Sequence, residues 1–65
     1  MTKTQAREYG EKAYKEGKTA APAMDKDFLS EYDRTKSGRF GEITELLEEW
    51  NQGWFSEYKR EHGHN

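Results

Sequence analysis

The chain has 65 residues, 11 Lys and Arg against 13 Asp and Glu, no cysteine, and a formal net charge of −2 at pH 7. That length holds one domain at most, with a thin core, and the lack of cysteine excludes both a disulfide framework and a thiolate metal site as its staple. The weak negative charge argues against a general polyanion binder, because a phosphate-binding surface is built from an excess of cations.

Five alanines and nine aromatics make up most of the apolar residues, so aromatic rings must form most of the core. There is no Val and a single Ile. With the apolar β-branched residues that favour strands nearly missing, the expectation is an all-α single domain over residues 1–65, built from three helices.

The first predicted helix spans about 3–17. Thr2 and Gln5 stand three apart, as in a capping box, Lys15 and Lys18 suit a helix C-terminus, and Gly17 can close it in the left-handed conformation. Ala6, Gly10, Ala13 and Gly17 recur at spacings of 4, 3 and 4, a ridge almost without side-chain bulk, flanked by Tyr9 and Tyr14. A linker over 18–24 follows, containing "KTAAPA".

The second predicted helix spans about 25–36. Asp25 is the candidate N-cap, with Met24 and Leu29 placed to form a hydrophobic staple across it. Met24, Phe28 and Tyr32 recur every four residues, and Gly38 can end the element.

The third, over about 40–60, has the strongest periodicity. Phe40, Ile43, Leu47, Trp50, Trp54 and Tyr58 follow spacings of 3, 4, 3, 4 and 4, with Leu46 widening the stripe on one shoulder. Gly53, seven residues after Leu46, shares that shoulder. A helical Gly costs about 1 kcal/mol relative to Ala, so the stretch "EEWNQGW" calls for an offsetting gain. Close packing supplies one: the bare ridge of the first helix receives the tryptophan face of the third, with axes near the short end of the ~8–10 Å range. The expected structural set is therefore Ala6, Gly10, Ala13, Gly17, Trp50, Gly53 and Trp54.

Candidate chemistry is sparse. His62 and His64 form an H-x-H pair within an expected flexible tail over 62–65, without a third ligand of obvious spacing. No metal or other cofactor is expected. Glu42, Glu45, Glu48 and Glu49 read as a solvated helix face rather than as paired catalytic carboxylates, and Ser30, Ser37 and Ser56 as helix surface or caps. The glycines form no phosphate-cradling pattern. An enzyme is not expected. No apolar run approaches the ~20 residues of a membrane span and the N-terminal stretch lacks a signal-peptide core, so the expectation is a cytoplasmic protein with no membrane partner.

Binding remains. Phe55 falls off the main stripe of the third helix, with Gln52 and Lys59 beside it. It reads either as a contact to the second helix or as the centre of an interface to a protein partner or a second copy, with a polar rim.

The Ala/Gly-spaced first helix ending "AYKEG", Pro22, and "WNQGW" together resemble the ribosome modulation factor family and related small proteins of phages and mobile elements. The resemblance touches Ala13, Gly17, Pro22, Trp50, Gly53 and Trp54. It implies a small, helical, non-enzymatic protein associated with the small ribosomal subunit. Two features depart from the family's pattern: 27 residues separate Pro22 from Trp50, where the family's connection is much shorter, and the chain is net acidic where the family is strongly basic. The leading expectation is thus a non-catalytic binding protein acting as a regulator or inhibitor through protein–protein docking. The alternative is a ribosome-associated RNA-binding factor using Lys3, Arg7, Lys12, Lys15 and Lys18.

Overall fold

The computed structural model describes residues 1–63. Among these residues are three α-helices, one 3-10 turn and no strand: α1 (Lys3–Lys15), the turn Pro22–Met24, α2 (Lys26–Thr35) and α3 (Glu42–His62).

α1 opens on the expected capping box. The Thr2 hydroxyl accepts from the Gln5 N–H at 3.1 Å, and the Gln5 side chain accepts from the Thr2 N–H at 2.9 Å, which satisfies two donors left free at a helix start. It closes two residues earlier than the spacing suggests. The Lys18 N–H donates to the Ala13 carbonyl and the Gly17 N–H to the Tyr14 carbonyl, with Gly17 at φ 78°, a Schellman closure. A Cβ on Gly17 would meet nothing within 4 Å. Gly17 is therefore a stop signal and not the fourth member of the packing ridge, which consists of the buried Ala6, Gly10 and Ala13.

Within the expected linker, Pro22 begins the 3-10 turn, as its fixed φ favours. Asp25 then caps α2, its Oδ1 accepting from the Phe28 N–H at 3.1 Å. The staple does not form. Met24 is 77% exposed, because it belongs to the turn and not to the helix, so the four-residue spacing does not carry it onto the face of Phe28. That face begins at Phe28 itself, which is fully buried and meets Tyr9 of α1 edge-on at 5.9 Å. α2 ends at Thr35, before Gly38; the Thr35 hydroxyl donates to the Glu31 carbonyl at 2.7 Å and accepts from the N-terminal amine at 2.9 Å.

α3 starts at Glu42, not at residue 40. Gly41, at φ 81°, sets the entry, and Phe40 lies outside the helix at 99% exposure. The acids expected to form one solvated face are mostly engaged. Glu42 is buried and accepts from the Ser37 N–H and hydroxyl, both at 3.1 Å; Glu45 pairs with Arg39 and Glu49 with Arg7. At its other end α3 continues through His62, so the expected tail does not begin there, and His64 of the H-x-H pair lies outside the described residues.

α1 and α3 are packed closely and run parallel, since their contacts climb together: Arg7 with Glu49, Gly10 with Trp50, Tyr14 with Trp54 and then Glu61. α2 is the descending return between them, with Phe28 level with Tyr9 and Thr35 level with Met1. The seam is made by two glycines facing opposite ways. A Cβ on Gly10 would overlap the Trp50 carbonyl, and one on Gly53 would overlap the Arg7 carbonyl. Each glycine thus admits the other helix's backbone, as the small-residue ridge requires. The expected stripe is, however, rotated. The residues buried in α3 are Glu42, Leu46, Trp50 and Gly53, while Ile43, Leu47 and Trp54 lie along one edge, half-buried.

Candidate docking face on the third helix

At 100° per residue, the buried set Leu46, Trp50 and Gly53 fixes which side of α3 points out. Phe55 stands directly opposite that set. Thr44, Glu48, Asn51, Phe55, Tyr58 and His62 follow one another at spacings of 4, 3, 4, 3 and 4 along this outer side. Phe55 is 46% exposed and Tyr58 43% exposed. A shallow depression of about 330 Å³ is lined by Asn51, Gln52, Phe55 and Lys59. The three residues singled out in the sequence as a tentative partner contact, Phe55, Gln52 and Lys59, therefore line one surface. Phe55's ring neighbours are Trp54 at 4.9 Å and Tyr58 at 6.4 Å, both on α3 itself.

The aromatics are held in place from beneath. The Trp54 indole N–H donates to the Lys18 carbonyl at 3.0 Å, just past the end of α1. Trp54 also meets Tyr14 edge-on at 5.1 Å and stacks on Tyr58 at 5.7 Å and 15°. The Tyr14 hydroxyl donates to Glu61 at 3.0 Å, which leaves its oxygen to accept from His62 Nε2–H, also at 3.0 Å. Partial burial first, and then the Glu61 carboxylate, push the Tyr14 hydroxyl above the ordinary tyrosine range. A site mounted on a helix and braced by such bonds keeps its shape before anything binds. Tyr58 and His62 belong to this surface although the sequence alone does not assign them to it. Tyr58 fits the inner and outer periodicities equally, since 54, 58 and 55, 58 are both helical spacings, and His62 was read as tail.

Asp25 is the other buried acid. Its Oδ1 caps α2 and its Oδ2 accepts from the Trp50 indole N–H at 2.9 Å. It lies in the floor of a groove of about 340 Å³ lined by Gly17, Lys18, Thr19, Ala21, Met24 and Trp50. Both oxygens are used in holding α2 and α3 together, so the structural role accounts for its burial.

The cations proposed for RNA contact do not form one stripe. Lys3 and Arg7 lie a turn apart on one side of α1, and Lys12 and Lys15 a turn apart on another. Arg7 pairs with Glu49 at 2.7 Å, Lys12 with Glu16 at 4.0 Å and Lys18 with Glu16 at 3.2 Å. The hydrogen bond that Lys18 donates to the Glu16 carboxylate, and then the charge of that carboxylate, raise the Lys18 ammonium pKa above the ordinary lysine value. Lys12 and Lys15 occupy the last turn of α1, and Lys59 and Arg60 that of α3. Positive side chains there offset the partial negative charge at the ends of two parallel helices, a local role needing no RNA.

Among the described residues no group of three His, Asp or Glu side chains gathers around a common point, and no helix is long and apolar enough to cross a membrane. Comparison with protein families, with curated proteins and with solved structures gives no match to this chain.

Proposed function

We propose that this chain is a non-catalytic helical docking protein, a regulator or inhibitor that engages a protein partner through the outer face of α3. One observation carries the reading: Phe55 and Tyr58 stand side by side, each nearly half exposed, on a helix whose opposite side is locked against α1. Single exposed apolar residues are ordinary, but adjacent aromatics rimmed by Asn51, Gln52 and Lys59 match the apolar centre and polar border of an interface. Aromatic rings bury much area there for few frozen torsions.

The alternative, a ribosome-associated RNA-binding factor, is separated by one experiment. The tagged chain is used to capture partners from the cells that produce it, beside Phe55→Ala and a combined Lys3→Ala/Lys15→Ala variant, at low and high salt. A protein that survives added salt and the lysine changes but is lost with Phe55→Ala supports docking. Ribosomal particles or RNA, released by salt and by the lysine changes but not by Phe55→Ala, contradict it.

A further inference from the structure

The outer face of α3 is self-complementary, and we infer that it pairs with the same face of a second copy of this chain, antiparallel and about a two-fold axis. The inference rests on the reading of this face as the docking surface, and it names one occupant.

The charges select it. Along α3, Glu42 is held by Ser37, Glu45 by Arg39, Glu49 by Arg7, Glu57 and Arg60 by each other, and Glu61 by Tyr14. Among the described residues only Glu48 and Lys59 of this helix's charged acids and bases have no such partner. Both lie on the outer side, eleven residues or about three turns apart, with Phe55 between them. Side by side in a parallel pair, each would face its own like charge. In an antiparallel pair whose axis passes between the levels of residues 53 and 54, Glu48 of each copy faces Lys59 of the other, twice over.

The same register settles the apolar contact. Phe55 lies as far beyond that axis as Gln52 lies before it, so each Phe55 ring meets the second copy at Gln52, where Asn51, Gln52, Phe55 and Lys59 line the depression of about 330 Å³. One side chain is knob and wall at once, in the manner of helices packing knobs into holes. The outer spacings of 4, 3, 4, 3 and 4 from Thr44 to His62 are those of a two-helix seam. A seam this long, about 27 Å, buries less than the ~800 Å² per partner of a standard interface. The dimer is accordingly a weak one, able to yield its face to a different partner.

Sedimentation equilibrium on the purified intact chain at low salt, up to about 1 mM, tests this directly. The expected result is a monomer–dimer equilibrium. Glu48→Lys or Lys59→Glu alone weakens it about five- to tenfold, because each change acts at two symmetric places. The double variant Glu48→Lys/Lys59→Glu restores it to within about twofold. Phe55→Ala weakens it about thirtyfold or more. Helix content by circular dichroism stays unchanged, as all three side chains are exposed in the monomer. A wild-type chain that stays monomeric throughout overturns the inference, and so does a double charge swap that fails to restore pairing. Neither failure touches docking to another protein, which the capture experiment reads without self-association.

Discussion

Asp25 shows how much of this fold rests on single side chains. One carboxylate caps α2 and holds the Trp50 indole, which is otherwise sealed at 1% exposure. Removing a cap costs about 1 kcal/mol, and a buried N–H left without an acceptor about 1–3 kcal/mol. Asp25→Ala is therefore expected to destabilise the chain by about 2–4 kcal/mol in urea unfolding. Asp25→Asn should fall between Ala and wild type, because its single amide oxygen serves one of the two donors well. If Asn and Ala were equally costly, the cap and the indole bond would not be separable contributions. Only half of this was legible in the sequence. The cap follows from an acid placed before a helical run, whereas the indole bond joins residues 25 apart in the chain and leaves no local pattern.

The elements differ in how firmly they are held. α1 and α3 meet along a backbone-close seam, while α2 is attached through Phe28, the Asp25 bridge and the N-terminal amine on Thr35. Native-state hydrogen exchange is expected to show α2 amides exchanging faster than those of α1 and α3 near Gly10 and Gly53; equal protection would mean α2 opens only with the whole fold. At the start of α3 the Arg39 guanidinium, through its hydrogen bond and then its charge, holds the Glu45 carboxyl below the ordinary glutamate range. A depressed carboxyl contributes stability above the ordinary range and loses it as pH falls through its lowered value. Carboxyl-carbon NMR should find Glu45 titrating lower in the wild type than in Arg39→Ala, and identical titrations would remove the coupling. Helix 3 was legible as a helix but misphased. Hydropathy places Ile43, Leu47 and Tyr58 on its buried side, yet that side is turned toward Leu46 and includes a glycine with no side chain to register and a glutamate that ordinarily signals solvent. Phe40 and Met24 fell into the stripes for a related reason: spacing counts residues without knowing that a left-handed glycine or a 3-10 turn has broken the helical rotation.

At the scale of the molecule, two parallel helices with a light return element leave one long face uncovered. Small-residue spacing and the tryptophan stripe foretold that α1 and α3 would touch, but not that they would point the same way, since the direction depends on where α2 turns back. The candidate face was legible at Phe55, Gln52 and Lys59, which fail to fit the inner stripe; Tyr58 and His62 joined it only once that stripe's true phase was known. The outward aim of Phe55 follows from Gly53 being pinned against α1, so the seam governs both stability and the exposed surface. Urea unfolding of Gly53→Ala tests it most directly. Helix propensity alone would make this change stabilising by about 1 kcal/mol. Overlap of the new methyl with the Arg7 carbonyl should instead cost about 2 kcal/mol or more, with exposed Ser56→Ala moving stability by less than about 0.5 kcal/mol. A Gly53→Ala chain as stable as wild type, or more so, would contradict the seam and with it the orientation of the docking face.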